Sequence, residues 1–197
     1  MAQKSHREDL LEAAIRCLRA KGYADTSARD ISAEAGASLA SIGYHFGSKD
    51  ALLAKALLRG FGEWVSRVGE VALADESASP SQRAARALSA ALDSYEAQRP
   101  LLIAFVEAIA QAPRNDELRE QMAALYRQGR EAVAEIVRHS LGQHAGRLRA
   151  DPQILASVVM AAVDGLALQW LLSPDDVPSG EQLAAALADA IGLAASP

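Results

Sequence analysis

The sequence predicts an all-α protein, and three observations carry that prediction. Alanine and leucine dominate a chain that is 50% hydrophobic but only 5% aromatic, so intrinsic preference summed over most windows favours helix over strand. Apolar residues recur at helical spacing rather than in alternation. Serine, aspartate and glycine stand where helices would start and stop.

The first helix is expected from about Arg7 to Lys21, with Leu11, Ala14, Ile15 and Leu18 on one stripe and Gly22 ending it. In "TSARDISAEAG" the pair Ser27 and Asp30 has the spacing of a serine cap answered by an acidic group, which starts a short helix running to Ala35. Gly36 follows where a left-handed residue would stop it, and Ser38 stands where a cap would open the next helix. Ser48 is placed to begin a fourth in the same way. Ile31, Ala35, Ile42 and Phe46 can join the first helix in a small core. Two short helices joined by so tight a turn make a helix-turn-helix, whose second member can lie in a DNA major groove.

The fourth helix is expected to run to about Ala74, although Gly60, Gly62 and Gly69 each weaken it by about 0.8 to 1 kcal/mol relative to alanine. After the loop "DESASPSQ", helices are expected over Gln82 to Gln98, Leu101 to Gln111, Asp116 to about Leu141, Ile154 to Leu172 and, past "SPDDVPSG", Glu181 to about Leu193. The run from Ile154 to Leu172 approaches bilayer-spanning length, but Asp164 at its middle would cost roughly 2.5 to 3.5 kcal/mol there. A helix covered by protein on most sides is the expectation, with no membrane partner.

A single cysteine, Cys17, excludes an internal disulfide, and the first residues lack the apolar core of a secretory signal, so a cytoplasmic location is expected. A net charge of −5 excludes general polyanion binding, so any DNA contact must be local. No enzyme, metal or cofactor chemistry is indicated. His45 has no second histidine or cysteine at ligand spacing and no nucleophile beside it, while His139 and His144 do not share a helical face. Cys17 reads as a small packing residue.

In "PLLIAFVEAIAQAP", apolar nearly all round, Glu107 needs a partner if buried, which makes it a candidate polar anchor for a ligand. Phe105, Tyr126 and Trp170 could line the same cavity. The last two helices carry many small residues, among them Ala161, Ala162, Gly165, Ala184, Ala185 and Ala188. Helix axes can approach closely at such positions, so these two helices are expected to pair with those of a second subunit across a two-fold axis.

With "TSARDISAEAGASLASIGYHFGSKDALL" near its start and a longer helical remainder behind it, the chain resembles the TetR family of bacterial transcriptional regulators. The resemblance is sharp from about Leu10 to Leu57. It implies a DNA-binding domain over 1–50, linked through a helix at about 48–74, and a ligand-binding and dimerisation domain over 51–197. It also implies a homodimer on a palindromic double-stranded DNA operator, released by an unknown small-molecule effector. Carried over by position, Ser27 would meet a phosphate and Arg29 a base edge. Ser38, Leu39, Ala40, Ser41 and Gly43 would face the groove, and Tyr44, His45 and Lys49 would hold the DNA backbone. Arginine can bond guanine in bidentate fashion, hydroxyls and lysine suit phosphate, and apolar groups can touch a thymine methyl. The chain departs from the family pattern at Leu39, where lysine or glutamine is common, and at Gly43, where tyrosine is. The alternative reading is an all-α small-molecule-binding or protein-interaction module without DNA binding.

Overall fold

The structure, a computed structural model, describes residues 6–141, 151–183 and 185–186. Its order is α1 (His6–Lys21), α2 (Ala28–Ala35), α3 (Leu39–Phe46), α4 (Lys49–Leu73), α5 (Pro80–Asp93), α6 (Tyr95–Gln111), α7 (Asp116–Leu141) and α8 (Pro152–Leu172). Single 3-10 turns follow α6 and α8, and no strand occurs among the described residues. His144 and most of the helix expected over Glu181–Leu193 lie outside the described residues.

The expected caps form at α2 and α4, and α5 starts at Pro80, inside the segment expected to be a loop, with a cap at Ser79 that was not expected. Ser27 accepts from the Asp30 amide while the Asp30 carboxylate accepts from Ser27 N, the reciprocal pair that satisfies two orphan donors. Gly36 adopts φ 61° and ψ 29°, and the Ala37 amide returns to the Ser32 carbonyl at 3.0 Å, closing α2 in the left-handed turn that glycine adopts without a steric penalty. Ser48 Oγ accepts from Ala51 N at 3.0 Å at the start of α4. Ser38 is the exception. It precedes α3 in extended conformation but makes no side-chain cap bond, because its hydroxyl is 2.8 Å from the Ser41 hydroxyl instead.

A second departure concerns the break placed between Gln98 and Leu101. Pro100 lies inside α6, and the break falls at Ser94. The proline removes one backbone bond, yet its fixed φ is helical, so packing carries the helix through it. At Ser94 the hydroxyl donates to the Ala91 carbonyl and accepts from Trp64 Nε1, and these bonds compete with the helix ladder.

The chain packs as two compact units, one of Met1–Glu63 with Gln98–Gly129 and the other of Trp64–Ala97 with Arg130–Pro197. In the first unit Leu10, Leu18, Ile31, Leu52, Leu53, Leu57, Ala104 and Leu118 are buried in one continuous core, with Ile42 and Phe46 entering from α3. Gly60 belongs here. A Cβ on it would lie 3.0 Å from a Leu101 methyl, so this glycine permits close approach of α4 to α6. In the second unit Tyr95 is fully buried, donates to the Val163 carbonyl at 2.8 Å, and stacks obliquely between Trp64 and Trp170.

The helix expected to be covered on most sides is largely exposed among the described residues. Of α8 only Ala156, Leu166 and Ala167 are buried, whereas Ile154 (61%), Val158 (62%) and Leu172 (87%) are exposed. The helix is long and apolar enough to cross a bilayer, with mean hydropathy 1.8 over its most apolar window. Asp164 at its centre, and its packing against Tyr95, instead suit a helix of a protein bundle.

Candidate nucleic-acid interface

The first three helices present one side of α3. Ile42 and Phe46, four apart, point into the core. On the opposite side Leu39, Ala40, Gly43 and Tyr44 are exposed, Leu39 at 51% and Tyr44 at 86%. The half-buried Ser41 and His45 flank that face. Tyr44 meets the His45 ring edge-on at 4.8 Å, which orders a side chain otherwise in solvent. Large exposed side chains on a helix of eight residues with two buried anchors are the form a protruding recognition helix takes.

Cations also stand on the helices that pack with α3. The Arg29 guanidinium on α2 is exposed and has no hydrogen-bond or ion-pair partner among the described residues. Arg7 and Lys55 lie over the Phe46 ring, 5.3 and 5.6 Å from its centroid. Neither was singled out from sequence, because only the fold brings α1 and α4 to the end of α3. Lys49 is half-buried. Its ammonium donates to the Thr26 carbonyl at 3.1 Å, lies 3.7 Å from the Asp50 carboxylate and 5.5 Å from the Tyr23 ring, and carries further donors on the same nitrogen. Elsewhere on α1 and α2, Arg16 is neutralised by Glu34 and Lys21 by Asp30, each at 2.6 Å. With Arg29 exposed on α2 and the Lys55 ammonium on α4 near Phe46, a chain with net negative charge still carries local positive charge on the helices that pack with α3.

The first helices are held by a polar clasp of which the sequence singled out Glu107 alone as a candidate ligand anchor that needs a partner if buried. Glu107 Oε2, on α6, accepts from Tyr23 N at 2.6 Å and Ala24 N at 3.0 Å, in the turn between α1 and α2. Gly22 opens that turn at φ 79°, and a Cβ there would meet Glu107 Oε2 at 2.8 Å. Asp50 accepts from the Tyr23 hydroxyl at 3.0 Å and from Asn115 Nδ2 at 3.1 Å. Ser48 Oγ donates to Glu117 at 2.6 Å. Burial first, and the Asp50 carboxylate second, push the Tyr23 hydroxyl well above its ordinary pKa, so it remains a donor at any physiological pH. A further local signal is Asn115 ahead of an acidic first turn, which marks a helix start, and the Leu118 amide does return to Asn115 Oδ1 at 3.1 Å.

The residues expected to line a ligand cavity fall into both units. In the first, Phe105 stands between Phe61 and Tyr126, with ring centroids 5.0 and 5.9 Å away. Glu107, on the same helix α6, is engaged by the α1–α2 turn. Trp170 belongs to the second unit, beside Tyr95. Cys17 is buried, and burial raises its thiol pKa, which suits packing rather than thiolate chemistry.

Comparison with known proteins addresses both halves of the chain. Residues 10–56 match the family model described as bacterial regulatory proteins, tetR family, and residues 80–193 match that described as BetI-type transcriptional repressor, C-terminal. Solved structures of similar fold include a TetR transcription regulator from Haloarcula marismortui, 25% identical, covering 94% of this chain and 97% of that one with a TM-score of 0.69. A transcriptional regulator from Saccharomonospora viridis in complex with choline is 26% identical, with 96% and 97% covered and a TM-score of 0.65. The multidrug binding protein EbrR complexed with proflavin is 30% identical, with 91% and 95% covered and a TM-score of 0.62. Among curated proteins no match is found. An α3 with one exposed face, in a chain matched over its N-terminal and C-terminal parts alike, leads to one conclusion: the chain belongs to the TetR family of bacterial transcriptional regulators.

Proposed function

We propose that this regulator is a cytoplasmic repressor that binds a palindromic operator as a homodimer and leaves it when a small molecule binds. The supporting observation is the exposed face of α3, backed by buried Ile42 and Phe46 and flanked by half-buried His45, with Arg29 exposed on the neighbouring α2. Residues 1–50 read DNA, and 51–197 bind ligand and dimerise. Ser27 and Lys49 hold phosphate, Arg29 reaches a base edge, and α3 enters the major groove.

The dimer is built on α8. Ile154, Val158, Ala161, Gly165, Leu168 and Leu172 recur at intervals of three and four, and so form one stripe. Its ends are exposed apolar side chains, and a Cβ on Gly165 near its middle would meet nothing within 4 Å. A stripe with small residues at its centre lets a second helix approach closely, so α8 of another copy covers it, together with the helix that begins near Gly180.

The effector is an organic cation. Relatives hold choline and proflavin, and aromatic faces attract such ligands. Phe105 and Tyr126 in the first unit are candidate contacts, and Trp170 beside Tyr95 in the second is another. Glu107 serves the α1–α2 turn, so any effect of ligand on α6 reaches the reading helices through it. A hundredfold loss of operator affinity requires only about 2.7 kcal/mol of coupling.

Selection of bound duplexes from random DNA by the purified protein, followed by binding assays with and without choline-like and acridine-like cations, tests this reading. A palindromic consensus whose binding weakens with one such cation is expected. Indifference to every duplex at low salt would overturn it.

A further inference from the structure

The exposed face of α3 is unusual in what it lacks. Leu39, Ala40 and Gly43 occupy its centre, so no side chain there can donate or accept a hydrogen bond. The hydroxyls at its edge, Ser38 and Ser41, lie 2.8 Å apart and already bond to each other. Leu39 is a branched apolar side chain 51% exposed on the first turn of the helix, at the end that enters a groove first. Gly43 lies one turn further on, and a Cβ added to it would meet nothing within 4 Å, so the helix axis can come close to whatever it faces.

The major groove displays one apolar feature among its base edges, the C5 methyl of thymine; the other groups that identify a base there are donors or acceptors. An apolar side chain pressed on those polar edges would remove their water and return no hydrogen bond. Against a methyl it gains burial on both sides. Resting on the operator-binding reading above, we infer that Leu39 selects thymine by its methyl group, and that this contact carries the specificity of α3 while Arg29 supplies hydrogen-bonded readout from α2.

The test is single-methyl deletion. In the operator recovered by selection, each thymine is replaced in turn by deoxyuridine, which keeps every hydrogen-bonding group and removes only the methyl. Wild-type protein should lose about fourfold in affinity at one matching position in each half-site, the value of one buried methyl. Leu39→Ala, a change at an exposed position, should bind the unmodified operator more weakly and show no further loss at that same position. Wild-type protein that binds the operator but ignores every deoxyuridine, or Leu39→Ala that keeps the same sensitivity, would overturn the assignment while leaving operator binding intact. Failure to bind any duplex would instead remove the reading on which it rests.

Discussion

Single residues decide how firmly the first helices are held. Glu107→Ala removes an acceptor used by two backbone amides, and charge-assisted bonds of this kind contribute about 1.5 to 3 kcal/mol. A loss near 2 kcal/mol in urea unfolding is expected, with Glu107→Gln recovering part of it because the amide oxygen can still accept. Gly22→Ala should cost as much through a different cause, since φ 79° disfavours a side chain and the new Cβ would press on the Glu107 carboxylate. The carboxylates of Asp30 and Asp75 impose a pH dependence. The Lys21 ammonium and the Ser27 hydroxyl hold Asp30 below the usual carboxylate range, and the Ser77 hydroxyl with Arg86 lowers Asp75 to about 2. Both pKa values are depressed in the folded chain, so their contribution is complete above the unfolded value near 3.9 and disappears as pH falls through the folded one. Urea midpoints should therefore drop between about pH 5 and pH 2, and Asp75→Asn should flatten that drop.

At the scale of the element, capping was legible and hydroxyl choice was not. Ser27 and Asp30 lie three apart, and their reciprocal bonds follow from that spacing alone, so Ser27→Ala should destabilise by about 1 kcal/mol in thermal unfolding. Ser38 has the same local credentials but spends its hydroxyl on Ser41, a competition that needs side-chain positions to resolve. Pro100 misplaced a helix boundary because a proline penalty is only a prior, and the core around Leu101 and Ala104 overrides it. The glycines of α4 also separate once their surroundings are known. Gly62 is exposed with free space around it, so Gly62→Ala should stabilise by up to about 1 kcal/mol. Gly60→Ala and Gly69→Ala would crowd Leu101 and Ile136, each 3.0 Å from the added carbon, and should give smaller gains or losses in the same unfolding assay.

For the molecule as a whole, the exposed apolar stripe of α8 stands out among the described residues. Exposed Ile154, Val158, Leu168 and Leu172 along one helix exceed what scattered surface apolar residues explain. Val158→Glu should convert a dimer into a monomer by light scattering at micromolar concentration and weaken operator binding with it, since two half-sites must be held together. Retention of the dimer in that variant would place the interface elsewhere. The sequence by itself determined the helical class, the helix order, the caps of α2 and α4, and the placing of Ile42 and Phe46 of α3 in the core. Each depends on neighbours within a few positions, where propensity, period and capping act. Only the tertiary structure decided that Glu107 serves the turn at Tyr23, that Asp50 meets Asn115, and that α8 is largely exposed among the described residues. Those pairings join residues far apart along the chain, and their partners are chosen by packing, which no local pattern records.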